Sequence, residues 1–318
     1  VGFDKTLGCI NKLIYHTRII DSNISSTRGP VLNVFRAPTD NDLRSSYVRG
    51  ENGWFNVGLD RLVPKLMGFQ LKSQNPSRLQ IMSWIRWNGE MGTGFDHHMN
   101  YWVYTNGNIY MDNWIQPFGN LPILPRAGVI MMVDQSLKHA EWYGRGPHES
   151  YPDRKEGAEL GIFRCDVNAQ AMPYIYPQEM GNKEDVRWLA LMNHEGNGLV
   201  ITAEESMSAS VLKYLPQELA VAKHTNELTP RNENVVCLNY KQNGLGNGSC
   251  GPEPLEQYKL YPEPVRFKLW MRPFCESEDL YSQTKKLKVD FDNRFFELFE
   301  GANICQKSAS VKSTINRQ

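Results

Sequence analysis

The sequence predicts an all-β protein, a large antiparallel β-sandwich. Three observations carry that expectation. Short alternating or apolar runs rich in β-branched and aromatic residues recur along the chain, each bounded by Gly, Asn, Asp or Pro. Twenty-five glycines and 18 prolines supply turns between them. Helical stretches are few, so the strands must pack against one another.

Taken in order, the expected strands are Cys9–Tyr15, Leu79–Trp87, Asn108–Ile115, Ala127–Val133, Lys138–Tyr143, Val186–Met192, Gly198–Ala203, Val235–Tyr240 and Val265–Met271. The run Val31–Phe35 is also strand-like. Ile109–Trp114 and Arg266–Trp270 show the period-two alternation of a half-buried strand. Two segments read as short helices: Glu156–Ile162, and Val211–Ala220, which Pro216 keeps short. Residues 1–274 read as one sandwich domain. Residues 275–318 read as an appended segment, in which Phe291, Phe295, Phe296 and Phe299 are enough to pack and the Ser- and Lys-rich end after Cys305 is loose.

Composition narrows the function. The 318 residues are 41% hydrophobic, enough for a real core. Lys+Arg and Asp+Glu are both 35, and a net charge of zero argues against nucleic acid, which needs a basic surplus. A neutral ligand such as a sugar remains compatible, and eight Trp and 14 Tyr suit either sugar stacking or a β core. No run of about 18 apolar residues exists, so no membrane span is expected. The chain opens Val1-Gly2-Phe3-Asp4 without an initiator Met or a signal-like stretch, which reads as a fragment or a processed chain. A soluble protein is expected, and its compartment is not encoded. The six cysteines are scattered without a C-x-x-C pair, so free thiols are expected and a cysteine zinc site is not.

Two stretches could carry chemistry, and a glycine loop could carry a ligand. Arg36-Ala37-Pro38-Thr39-Asp40-Asn41-Asp42 follows a strand; Asp40 and Asn41 can cap backbone N–H groups while Arg36 bridges to a carboxylate. Its D-x-D pair, Asp40 and Asp42, lacks the regular spacing of a calcium loop. Trp142–Arg154 is the second: Arg145, Asp153 and Arg154 can form an ion network, and His148 and Glu149 could act as acid and base. Acid/base chemistry on a sugar needs two carboxyls about 5–10 Å apart, however, and no spacing here nominates a pair. Both stretches therefore read as structural. His97-His98 is a weak metal candidate, because neighbours on a strand point to opposite faces. The run Gln242–Pro252 packs four glycines, one hydroxyl and one thiol into a loop built for unusual dihedrals and close approach. A ligand-facing loop and a plain hairpin connection both fit it.

Together these motifs resemble the last domain of the lactose-cleaving β-galactosidases of glycoside hydrolase family 2. The resemblance rests on Gly29-Pro30 with Phe35–Asp42, on Tyr143–Arg154, on Pro177–Asn182 with Val186-Arg187-Trp188, and on His224–Leu228 followed by the Gln242–Pro252 loop, in that order between Phe3 and Phe274. It implies a galactose-mutarotase-like supersandwich with long edge loops. It implies that both catalytic glutamates, one nucleophile and one acid/base for retaining hydrolysis, lie on a TIM-barrel domain or large subunit outside this chain. No catalytic residue, cofactor or metal site is then expected here, although the intact enzyme is expected to need Mg and Na. The loop would reach the barrel mouth, with Asn243, Gly246, Asn247, Ser249 and Cys250 as candidate substrate-loop residues. Arg36, Asp40, Asn41, Asp42, Arg145, His148, Glu149, Asp153 and Arg154 would hold the structure. In family members a tryptophan stacks on the sugar where this chain has Cys250, which offers far less stacking area. The implied partners are the other enzyme domains and a β-galactoside, with homo-oligomer contacts through the sandwich also allowed. Two other readings stay open: a purely structural interface domain and an autonomous carbohydrate-binding module.

Overall fold

The computed structural model describes residues 1–13, 28–75, 77–275, 279, 280 and 284. Within them the chain forms β1 (Gly2–Phe3), β2 (Ile10–Lys12), β3 (Arg28–Asn33), the single turn α1 (Ser46–Arg49), β4 (Val63–Asn75), β5 (Arg78–Asn88), β6 (Gly94–Tyr104) and β7 (Ile109–Phe118). There follow β8 (Arg126–Val133), β9 (His139–Gly146), β10 (Glu159–Asp166), β11 (Lys183–Met192), β12 (Gly198–Leu212), α2 (Pro216–Val221), β13 (Asn234–Gln242) and β14 (Val265–Phe274). Strands β1 and β2 pair with each other; the other twelve form one sheet, antiparallel throughout.

The sheet forks. One path runs β10-β9-β11-β12-β14-β7-β6-β5-β4, and a second arm leaves β12 through β13 to β8 and β3. Strand β12 serves both: Gly198–Ala203 pair with β14, and Ser208–Leu212 pair with β13. The two arms enclose one core. Ile81, Ile85, Met99 and Met111 from one arm share it with Val129, Met131, Val236 and Leu238 from the other. Each such side chain contributes about 1.5–3 kcal/mol by leaving water. The antiparallel sandwich is thus a sheet turned back over itself.

Alternation explains the register. In β9, Ala140, Trp142, Gly144 and Gly146 are buried while His139, Glu141, Tyr143 and Arg145 are half-exposed. Gly144 is required there, since a Cβ would stand 2.9 Å from the Val186 Cα of the neighbouring strand.

One expected helix is corrected, and the other, Val211–Ala220, holds only from Pro216. Glu156–Ile162 is no helix: a turn passes Ala158 and β10 begins at Glu159, pairing along β9 from Glu159↔Gly146 to Asp166↔His139. Phe163 packs against Trp142 at 5.7 Å, a tertiary contact that decides for the strand. Val211 and Leu212 complete β12, and helix α2 starts only at Pro216, whose missing N–H costs nothing at a first turn. Strands β4 and β6 were not expected at all. The final residues of the expected Cys9–Tyr15 strand and most of the 275–318 segment lie outside the described residues.

Candidate functional site

The motifs meet where β3, β9 and β13 end and β11 begins. Arg36 is fully buried and its guanidinium is saturated. Nη2 and Nε hold Asp42 at 2.7 and 3.1 Å, while Nη1 and Nη2 donate to the carbonyls of Asn243 and Gly244 at 2.7 and 3.1 Å. Burial works against its charge, but Asp42 outweighs burial and holds Arg36 above its ordinary range. Asp42 also accepts from the Thr39 N–H at 3.0 Å, closing its own turn. One arginine therefore fastens the segment that follows β3 to the root of the glycine loop 207 residues away.

The next residues of the loop are held from two sides. Asn41 donates to the Gly246 carbonyl at 2.7 Å and accepts from the N–H and hydroxyl of Ser249 at 3.0 and 2.7 Å. Asp153 accepts from the N–H groups of Leu245 and Gly246 at 2.9 and 2.7 Å. Gly246 has φ +63°, and a Cβ there would lie 2.7 Å from Pro254, so both dihedral and space demand glycine. A Cβ on Gly248 would meet the Asn41 carbonyl at 2.6 Å.

Beyond this stem the loop is exposed. Gln242–Gly246 are buried, whereas Asn247, Ser249, Cys250, Gly251 and Pro252 face solvent. The tip closes on itself: the Asn247 N–H donates to the Pro252 carbonyl at 2.9 Å, and the Asn247 carbonyl accepts from Cys250 and Gly251 at 3.0 and 2.6 Å. On the return limb the Glu253 carboxylate accepts from the N–H and hydroxyl of Ser46 at 2.7 and 2.8 Å. The result is a pre-shaped projection on a buried, polar root.

Residues 1–271 match the family described as Beta galactosidase small chain. The chain belongs to this family. Similar proteins include the β-galactosidases of Priestia megaterium, 31% identical over 230 residues, and of Actinobacillus pleuropneumoniae, 31% identical over 241. These alignments take in 72% and 74% of this chain but only 22% and 23% of the relatives, so the small chain spans about a quarter of their length. Among solved structures it is similar to a galactose 1-epimerase from Lactobacillus acidophilus NCFM, at 10% identity and a TM-score of 0.35, covering 70% of this chain and 69% of that one.

Several expected residues of the small chain take other places. Asn243 is fully buried; its Oδ1 accepts from the Leu260 N–H at 3.1 Å, so it roots the loop. Gly246 is likewise in the buried stem, its carbonyl taken by Asn41 and Arg154. Asp40 does not cap; its own N–H donates to Gln178 at 3.4 Å, and Asp42 does the capping. Arg145, Asp153 and Arg154 form no common ion network. Arg145 pairs with Asp185 at 2.8 Å, Asp153 holds backbone, and Arg154 reaches the loop. His148 is exposed, and Glu149 is occupied by the Gly181 N–H at 2.7 Å and the Tyr174 hydroxyl.

The paired histidines do take opposite faces of β6. His97 Nε2 lies 3.1 Å from Asn113 Oδ1, and burial brings its pKa down to about 3. His98 packs between Trp84 and Trp114 at 5.2 and 5.3 Å. Among the described residues no group of three His, Cys, Asp or Glu is placed to hold a metal ion. Cys165, Cys237 and Cys250 are in no disulfide, and no described helix is long and apolar enough to cross a membrane.

Sequence reasoning missed the layer beneath the loop. Arg126 and Glu179 form a buried ion pair, and the Glu179 N–H donates to the Ala37 carbonyl at 3.1 Å. Gln242 donates to Asn182 at 2.6 Å, and Asn182 donates to Glu184 at 2.7 Å and to the Ser150 carbonyl at 2.9 Å. Glu179 and Asn182 sat inside a quoted motif, yet nothing in their spacing named partners 53 to 60 residues away.

Proposed function

We propose that this chain is the non-catalytic domain that completes a β-galactosidase active site built by a TIM-barrel domain or large subunit. That barrel supplies both glutamates and hydrolyses terminal β-D-galactosides with retention. The observation that carries this reading is the exposed tip Asn247–Pro252 standing on a buried root that Arg36, Asn41 and Asp153 pin at backbone level. A plain hairpin connection needs no such root. Holding a contact loop in its bound shape removes the ordering cost at the moment of binding.

In this reading the chain performs no bond chemistry. Its residues set the position of the tip, narrow the sugar site and keep water from it. Cys250 and Ser249 are the groups presented, with Ser249 oriented by its hydroxyl bond to Asn41. A thiol in place of a large ring leaves room over the sugar, so the subsite is wider and weaker than one closed by indole. Magnesium and sodium, where the intact enzyme uses them, belong to the barrel.

The test is galactoside hydrolysis by the full-length parent with Cys250 unchanged, Cys250→Ala and Cys250→Trp. Cys250→Trp is expected to lower KM several-fold through added stacking worth about 1 kcal/mol, and Cys250→Ala to leave it near wild type. The 318-residue chain alone should release no product. Unchanged kinetics in Cys250→Trp with the fold intact, or hydrolysis by the rigorously purified chain, would overturn the proposal.

A further inference from the structure

The fork in the sheet opens a crevice that the loop does not use. Strand β14 leaves β12 after Ala203↔Leu269, and β13 joins it only at Ser208↔Asn239. On the other side of β12, the register with β11 jumps from Trp188↔Thr202 to Val186↔Met207. Residues 204–206 are thus left out of all three ladders. Strands pair about 4.8 Å apart, so two neighbours that separate from one strand must leave a gap between them. The gap here has a volume of about 590 Å³, within the range of small-molecule sites.

Its lining is chemically specific. Tyr240, Tyr258 and Tyr261 line it, the Tyr261 hydroxyl donating to Glu256, beside the buried polar residues Glu184, Ser208 and Gln242. Ser208 and Gln242 are 2% and 3% exposed, and neither Ser208 Oγ nor Gln242 Oε1 has a hydrogen-bond partner among the described residues. A buried polar atom without a partner costs about 1–3 kcal/mol, which a hydrogen-bonding ligand would relieve. Glu184 accepts a single side-chain bond, from Asn182. Burial pushes its carboxyl up to about 7, with the Asn182 bond pulling the other way, so near neutrality it can donate as well as accept. Facing groups of both signs cancel: Lys155 is tied to Asp185 at 3.1 Å and Lys259 to Glu256 at 3.2 Å, and Lys241 lines the crevice together with Glu205 and Glu263. That balance offers nothing to a phosphate or a polyanion. Mixed donors and acceptors beside aromatic faces suit a neutral polyhydroxylated ligand.

We propose that the crevice between β13 and β14 is a saccharide-binding site of this chain's own, taking a neutral mono- or disaccharide on Tyr258, Tyr261, Glu184 and Gln242. It needs neither the barrel nor the loop tip, so it does not rest on the function proposed above. It touches the loop all the same, because Gln242 is both a wall of the crevice and the first residue of the loop root, bonded to Asn182.

The experiment is calorimetric titration of the full 318-residue chain with lactose, and with inorganic phosphate as the charged control. Saturable lactose binding is expected, weakened at least about tenfold by Tyr258→Ala or Tyr261→Ala, a loss of about 1.4 kcal/mol. Affinity should change between pH 6 and 8, about a unit either side of neutrality, in wild type but not in Glu184→Gln. Tyr261 is 45% exposed, so its truncation leaves the fold intact. The proposal is overturned by absent lactose saturation, by saturable phosphate binding in its place, or by lactose binding that ignores the tyrosine variants.

Discussion

Arg36 and Asp42 show how much one pair can decide. Both side chains are fully buried, and Arg36 alone joins two carbonyls of the loop root to the segment that follows β3. Removing one partner of a buried pair costs about 3–5 kcal/mol, because the survivor keeps its charge without compensation. Asp42→Ala is therefore expected to lower unfolding free energy by that amount in urea melts, and to raise amide exchange across Asn243–Gly246. Glu184 gives a pH signature. Its folded pKa of about 7 lies above its ordinary 4.5, chiefly through burial. The stability tied to the neutral acid is thus fully present below 4.5 and lost as pH rises through 7, on the order of 3 kcal/mol in all. Glu184→Gln keeps an acceptor for Asn182 and carries no charge. Its melts should match wild type near pH 4.5 and exceed it above pH 8 by a few kcal/mol at most; equal stability at both would refute the assignment. At this scale the sequence was half legible. The Arg36 motif named its own carboxylate region, because local turns are written in local residues. Whether Asn243 turns inward could not be read, since that depends on distant segments: the Pro125 carbonyl accepts from its N–H and the Leu260 N–H donates to its Oδ1.

Strands were legible where one face is apolar and the other polar. β7, β8, β13 and β14 lie close to their expected bounds, because buried residues recur with period two or fill both faces. β4 failed that test as an outer strand of its arm. Val63, Met67 and Leu71 are exposed, Pro64 interrupts it, and the register slips between Leu66 and Gly68. β6 failed for the opposite reason. Asp96, His97, His98 and Asn100 place polar groups on both faces, and Arg86, Asn113 and Gln80 of neighbouring strands hydrogen-bond Asp96, His97 and Asn100. Polar residues paired across strands look like loop residues to any rule that counts hydrophobicity. Glu159–Asp166 was misjudged similarly: with Leu160 and Ile162 on an exposed face, only Trp142 opposite Phe163 tells strand from helix.

For the molecule as a whole, zero net charge argued against nucleic acid, and the order of long motifs found the family; neither required any contact to be known. What remained hidden was the fork, because which neighbour a strand shares is a property of three segments at once. That fork has a mechanical consequence. β12 is bonded to β11, β13 and β14, so it is the one strand through which the two arms are stitched. Neither arm can peel away without tearing hydrogen bonds that the other depends on. The described domain should therefore melt as a single cooperative unit, with no half-open form. In native-state hydrogen exchange, the slowest amides of β8 and β13 should share one opening free energy with those of β6 and β7. Two separate values would mean that the shared strand can let go of one arm while keeping the other.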